Sequence, residues 1–197
     1  MSTLITGLLV FLVIHSFKLW APGLRVRVIN AMGLNPYKAV YSVISLLGLW
    51  LTVKGFQEAR LLDAQWWVPP IWTRHLSVAL MWPALVMLVS AYVPGSGIKA
   101  RLRHPMMLSI KVWALAHLIA NGHQAHVILF GALLIWAVLV YRSARVEDRS
   151  RMVGMMRSGA HVLNLGTLIS LVIGSALWFW LALGGGHMTL IGVSPLG

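Results

Sequence analysis

Cysteine is absent from all 197 residues. That absence excludes disulfides, thiol nucleophiles, Cys-ligated iron–sulfur clusters and the Cys-x-x-Cys-His attachment of c-type haem. Acid is nearly as scarce, with Glu58, Asp63, Glu147 and Asp148 the 4 carboxylates of the chain. All four fall at or outside the ends of apolar runs. A carboxylate proton relay or a cation-selective ring inside a membrane is therefore disfavoured. Charged residues of both signs make up 10% and hydrophobic residues 59%, with a mean hydropathy of +0.81. A soluble globular domain carries about 25% charged residues. Repeated apolar runs close to 20 residues, the length that crosses a bilayer, point to an integral membrane protein.

What is present in excess is basic charge, net +12. In a soluble chain that would indicate nucleic acid, but here Lys and Arg lie between apolar runs, where the positive-inside rule accounts for them. No stretch resembles an RNA- or DNA-binding module. The expected fold is all-α, a single bundle of six transmembrane helices over residues 1–197. The spans are placed at Thr3–Trp20, Tyr37–Phe56, His75–Val93, Met106–Ala120, Gln124–Tyr141 and His161–Leu183. The charges after the first span follow its apolar core, opposite to a signal peptide, so this segment is expected to stay as a span. Pro22-Gly23 should end it, Pro83 should kink the third, and Trp66, Trp67 and Trp72 suit a membrane–water interface. The connection from Arg142 to Arg157 reads as amphipathic at best, lying on head groups, and the tail after Gly184-Gly185-Gly186 as soft. Connections one, three and five carry 12 Lys and Arg against 3 on the other side. Both termini are thus expected on the non-cytoplasmic side.

With thiols and buried carboxylates missing, imidazole is the remaining strong ligand. Of the 8 histidines, His15 lies mid-span and His117 in the outer half of the fourth span. An ionisable residue at that depth is a functional-site hypothesis. His104 opens the fourth span within Arg103-His104-Pro105. At helical geometry it stands about 20 Å of rise from His117, so those two cannot share one metal. Bis-histidine haem b is the simplest cofactor for a carboxylate-free and thiol-free core, with Lys18, Arg101 or Arg103 as counter-charge for its propionates. A second set, His117-x5-His123-x2-His126, has spacing that zinc or copper would accept. The histidine boxes of di-iron desaturases are absent.

Several stretches together carry a family resemblance: Phe11-Leu12-Val13-Ile14-His15-Ser16, Ala91-Tyr92-Val93-Pro94, and Arg103-His104-Pro105-Met106-Met107. To these is added Lys111-Val112-Trp113-Ala114-Leu115-Ala116-His117-Leu118-Ile119-Ala120-Asn121-Gly122. The chain resembles the NnrU family over most of its length, most strongly from Gly97 to Gly131. That family comprises multi-pass proteins of the bacterial inner membrane linked with nitric oxide metabolism and denitrification. It is similar to the plastid 15-cis-zeta-carotene isomerase, a membrane haem b enzyme. The resemblance implies haem ligands at His15, in its His-Ser pair, and at His117, which closes the Arg-His-Pro helix. It also implies redox-dependent isomerisation of a polyene without net oxidation, and partners that include the bilayer, a hydrophobic small molecule or nitric oxide, and a respiratory membrane complex.

Ideal helices place His15 and His117 about 8–10 Å apart in depth. His75, at the outer end of the third span, is therefore a fallback partner for His117, and His104 a further fallback ligand. Arg-His-Pro also precedes a helix in membrane S-adenosylmethionine-dependent methyltransferases of the isoprenylcysteine type. Those add a Gly-x-Tyr before it and paired glutamates after it, where this chain has Ala100-Arg101-Leu102 and Glu147-Asp148. Methyl transfer and a non-catalytic assembly factor for a respiratory complex stand as alternatives to a haem enzyme.

Overall fold

The computed structural model describes residues 1–61, 64–151 and 163–196. Among these every regular element is a helix, with one isolated antiparallel bridge between Gln65 and His123. The chain divides into two compact units, Met1–Trp67 with His123–Trp136, and Val68–Gly122 with Ala137–Gly197.

The first unit opens with α1 (Ser2–His15), a single turn α2 (Phe17–Trp20), α3 (Pro22–Met32) and α4 (Leu34–Ala59). α1 and α4 form an antiparallel pair whose contact is made of glycines. Gly55 meets the backbone of Leu4, Gly7 that of Thr52, and Gly48 that of Phe11. Without a Cβ at these positions the two backbones approach closely, which is how apolar helices associate where lipid removes the hydrophobic drive. Thr3 extends the ladder by donating from Oγ1 to Glu58 Oε2 at 2.9 Å. Pro22 does close the first apolar run, as its sequence indicates, but it also opens α3, because a first-turn proline loses no hydrogen bond. The break before it falls earlier than expected, at Ser16, whose Oγ accepts from Trp136 Nε1 at 2.8 Å.

The second unit holds α5 (Ile71–Tyr92), α6 (Gly97–Leu102), α7 (Pro105–Ala120), the second half of α8 (Gln124–Arg151), α9 (Leu165–Ala182) and α10 (Gly186–Ile191). α5 begins four residues before His75 and runs on through Pro83. Ser109 Oγ on α7 donates to Ala84 O on α5 at 2.7 Å. Trp82 Nε1 donates to Ser175 Oγ and Trp178 Nε1 to Val78 O, tying α5 to α9. Asn164 caps α9 through Thr167 N while its amide donates to Gly95 O, which fastens the Pro94–Gly97 loop.

α8 continues ten residues past the expected end at Tyr141, so the charged stretch up to Arg151 is helical and leaves the apolar run in the same direction. The tail likewise folds back into α10. The expected start of the sixth span at His161, the end of the connection at Arg157, and Asp63 lie outside the described residues. Among the described residues four helices are long and apolar enough to cross a membrane: α4, α5, α8 and α9. α1 and α7 are shorter apolar helices at two further expected positions. Large side chains such as Val43, Leu46, Ile135 and Val172 point outward and are 64% to 68% exposed. An outward apolar surface of this extent fits a protein embedded in a lipid bilayer.

Candidate functional site

His15 is the last residue of α1 and half-buried. Its Nδ1 donates to Phe11 O at 2.7 Å, one helical turn back. Because a carbonyl can only accept, this bond fixes the proton on Nδ1 and leaves the lone pair on Nε2. Three aromatic rings surround the imidazole: Phe11 at 4.1 Å, Tyr41 at 5.5 Å and Trp136 at 6.2 Å between centroids. The neighbouring Ser16 holds Trp136 in place through the hydrogen bond described above.

His117, in the last turn of α7, repeats the device. Its Nδ1 donates to Trp113 O at 2.8 Å, and the Trp113 ring lies 5.1 Å away. Asn121 Nδ2 donates to His117 O at 2.8 Å, closing the helix end. A third ring joins from α10, where His187 lies 6.5 Å from His117 and donates from Nδ1 to Val193 O. His15 belongs to the first unit and His117 to the second. His75 is exposed in the early turns of α5, and Lys18 is exposed in α2. His123 and His126 sit 5.9 Å apart in the first unit, with His126 edge-on to Phe56. Among the described residues no three His, Asp or Glu side chains gather into a group able to hold a metal ion.

His104 is engaged differently. It forms the N-cap position of α7, and its Nε2 lies 3.1 Å from Asp148 Oδ2. Arg103 Nη1 and Arg145 Nη1 each reach the same oxygen at 3.5 Å. Arg103 has φ 64° and ψ −47°, and His104 N bonds back to Leu102 O at 2.8 Å. That is a γ-turn of the rarer, strained hand, the single non-glycine residue with positive φ among those described. Strain of this kind persists where surrounding contacts over-determine it, and such residues cluster at functional sites. Here the Asp148 carboxylate and the proline that follows hold the turn.

Asp148 stands beyond the part of α8 that crosses hydrocarbon. Starting from Gln124, about 20 residues span the 30 Å core. Partial burial raises its carboxyl, but hydrogen bonds and charge from His104 and then Arg103 outweigh this and leave it below its ordinary value. A carboxyl lowered on folding stabilises the native state above the unfolded value of about 4, and that contribution is lost as pH falls through the folded value. The melting temperature of the protein should therefore drop on acidification from about pH 4 downwards. Asp148→Asn should flatten that acid limb, as measured by thermal unfolding at stepped pH. Equal slopes for the two proteins would show that the cluster makes no contribution.

The family model described as NnrU protein matches residues 3–195. The chain belongs to the NnrU family. No curated protein and no solved structure matches it.

In this NnrU-family chain, sequence reasoning stopped short of two partners. Asp148 shares one helical face with Tyr141 and Arg145, at offsets of seven and three, a signal visible only if the helix is carried past Tyr141. His187 comes after a triple-glycine break, and no periodicity connects it with His117.

Proposed function

We propose that this NnrU-family chain is a haem b protein of the bacterial inner membrane, with His15 and His117 as the iron ligands. One observation carries the reading. Both imidazoles, on different helices, donate from Nδ1 to the carbonyl four residues back, beneath an aromatic ring also four residues back. Metal-ligating histidines characteristically donate their other ring N–H in this way, which fixes the tautomer and raises the basicity of the ligating nitrogen. Neutral Nε2 donors in an apolar, aromatic setting suit a haem better than a hydrated ion.

In this reading the chain crosses the membrane six times, α1 with α2 and α7 completing the four long helices. Their shortness is met by local thinning of the bilayer. The Lys and Arg bias puts both termini on the non-cytoplasmic side. When bound, haem b supplies a redox-active iron. The protein's own residues hold the two tautomers, and Phe11, Tyr41 and Trp136 keep water from His15. Lys18, one turn past His15, supplies a counter-charge for a propionate. Arg103, the other basic residue expected to serve, also meets Asp148 through Nη1. The substrate class is a hydrophobic polyene or nitric oxide. The chemistry is isomerase-like without net oxidation, in a denitrification context and beside a respiratory membrane complex. A reduced-minus-oxidised optical spectrum of the detergent-purified protein tests the reading. A low-spin haem b signal is expected, and its absence after haem supplementation overturns the assignment.

A further inference from the structure

Where α5 ends and α7 begins, the second unit has a pocket lined by Lys99, Arg103 and His104 together with Tyr92, Pro105 and Met106. The pocket thus combines two cations with apolar side chains. Lys99 Nζ donates to Ala91 O at 2.8 Å, so its ammonium is held at the end of α5. The strained turn at Arg103 fixes the origin of the guanidinium. Asp148 meets Arg103 and His104 through a single oxygen. The charged residues that line the pocket, Lys99 and Arg103, are both basic. On the apolar side Tyr92 is 72% exposed and donates from its hydroxyl to Met106 Sδ at 3.5 Å, making an aromatic–thioether wall that faces outward.

We propose that this pocket binds the head group of an anionic phospholipid, its phosphate between Lys99 and Arg103 and an acyl chain along Tyr92 and Met106. Three features favour a lipid over a free anion. The cations sit at the end of two apolar helices, which is the depth of lipid phosphates. Basic pockets between membrane helices select anionic head groups. A planar guanidinium pairs with phosphate oxygens through two parallel hydrogen bonds. The outward apolar wall would be wasted on inorganic phosphate. The site is independent of His15 and His117.

The test is lipid binding to the full-length protein in detergent, followed by native mass spectrometry with phosphatidylglycerol, phosphatidylcholine and, as the soluble head alone, glycerol phosphate. Phosphatidylglycerol should be retained in preference to phosphatidylcholine and should resist displacement by glycerol phosphate. Lys99→Gln and Arg103→Gln should each weaken it about five-fold, the worth of one surface charge near lipid. Lys99→Arg should restore binding, which guards against a merely misfolded Lys99→Gln. Arg149→Gln, in a separate groove on α8, should leave binding unchanged. Equal retention of the two lipids overturns the proposal. So does an Arg149→Gln loss matching that of Lys99→Gln, which would mean diffuse surface charge. Displacement by glycerol phosphate at matched concentration assigns the pocket to a free phosphate and overturns the lipid.

Discussion

Gly55→Leu is expected to unseat α1 from α4 and to lower the melting temperature of the purified protein by about 5–10 °C. The reason is geometric. A Cβ at Gly55 would come within 2.5 Å of Leu4 Cα and closer still to Leu4 N. Backbone cannot rotate aside as a flexible side-chain end can, so the helices must separate. Overpacking of a side chain against other side chains costs about 1–3 kcal/mol. Against backbone the upper end applies, and separation would also loosen the contacts at Gly7 and Gly48, which lie on the same ladder. Gly23→Leu is the control, because nothing lies within 4 Å of a Cβ there. Thermal unfolding followed by tryptophan fluorescence should show a large drop for Gly55→Leu and almost none for Gly23→Leu. Equal melting temperatures would mean that close approach of α1 and α4 does not hold the first unit together.

The same ladder shows what was legible beforehand. The apolar run of residues 37–56 announces a helix by length and composition, and α4 is there. Gly48 and Gly55 on α4, and Gly7 on α1, look like weaknesses until the partner helix is known. Their meaning depends on a neighbour 37 to 51 residues away, which periodicity within one segment does not supply. Boundaries erred for the opposite reason. Composition changes at Tyr141, which therefore reads as an end, and Pro22 reads as the end it is but not as the start of α3 as well. Yet a proline tolerates the first turn of a new helix, and a charged stretch stays helical once an apolar helix has nucleated it. At the candidate site, the residue types of His15, His117 and Arg103 could be read directly. The tautomer-fixing bonds follow from helical geometry, since a histidine near a helix end has the carbonyl four residues earlier within reach. The strained turn at Arg103 could not be read, because arginine has no preference for positive φ and the contact with Asp148 lies 45 residues away.

The second large effect concerns His15→Ala and His117→Ala. If both imidazoles grip one iron, either substitution removes a direct ligand. Loss of a group that merely orients a ligand costs about 10–100-fold in metal affinity. Loss of the ligand itself should exceed about 100-fold, so haem content after purification should fall to near background or turn high-spin. Added imidazole should restore the low-spin form, because it fills the vacated position without rebuilding the helix. His75→Ala should leave the spectrum as it is, since that ring is exposed and outside the proposed pair. His104→Ala should do the same while flattening the acid limb, because the Asp148 carboxyl loses the first of the partners that lower it. A spectrum unchanged in His15→Ala but lost in His117→Ala would keep the haem and move its second ligand elsewhere, with His187 first in line by proximity.

The most direct measurement is the reduced-minus-oxidised spectrum of the parent protein recorded beside His15→Ala and His117→Ala, each with and without imidazole. A low-spin haem b signal in the parent, lost in both variants and recovered with imidazole, is the predicted result. A parent that carries no haem after supplementation, or variants indistinguishable from a haem-loaded parent, would contradict it.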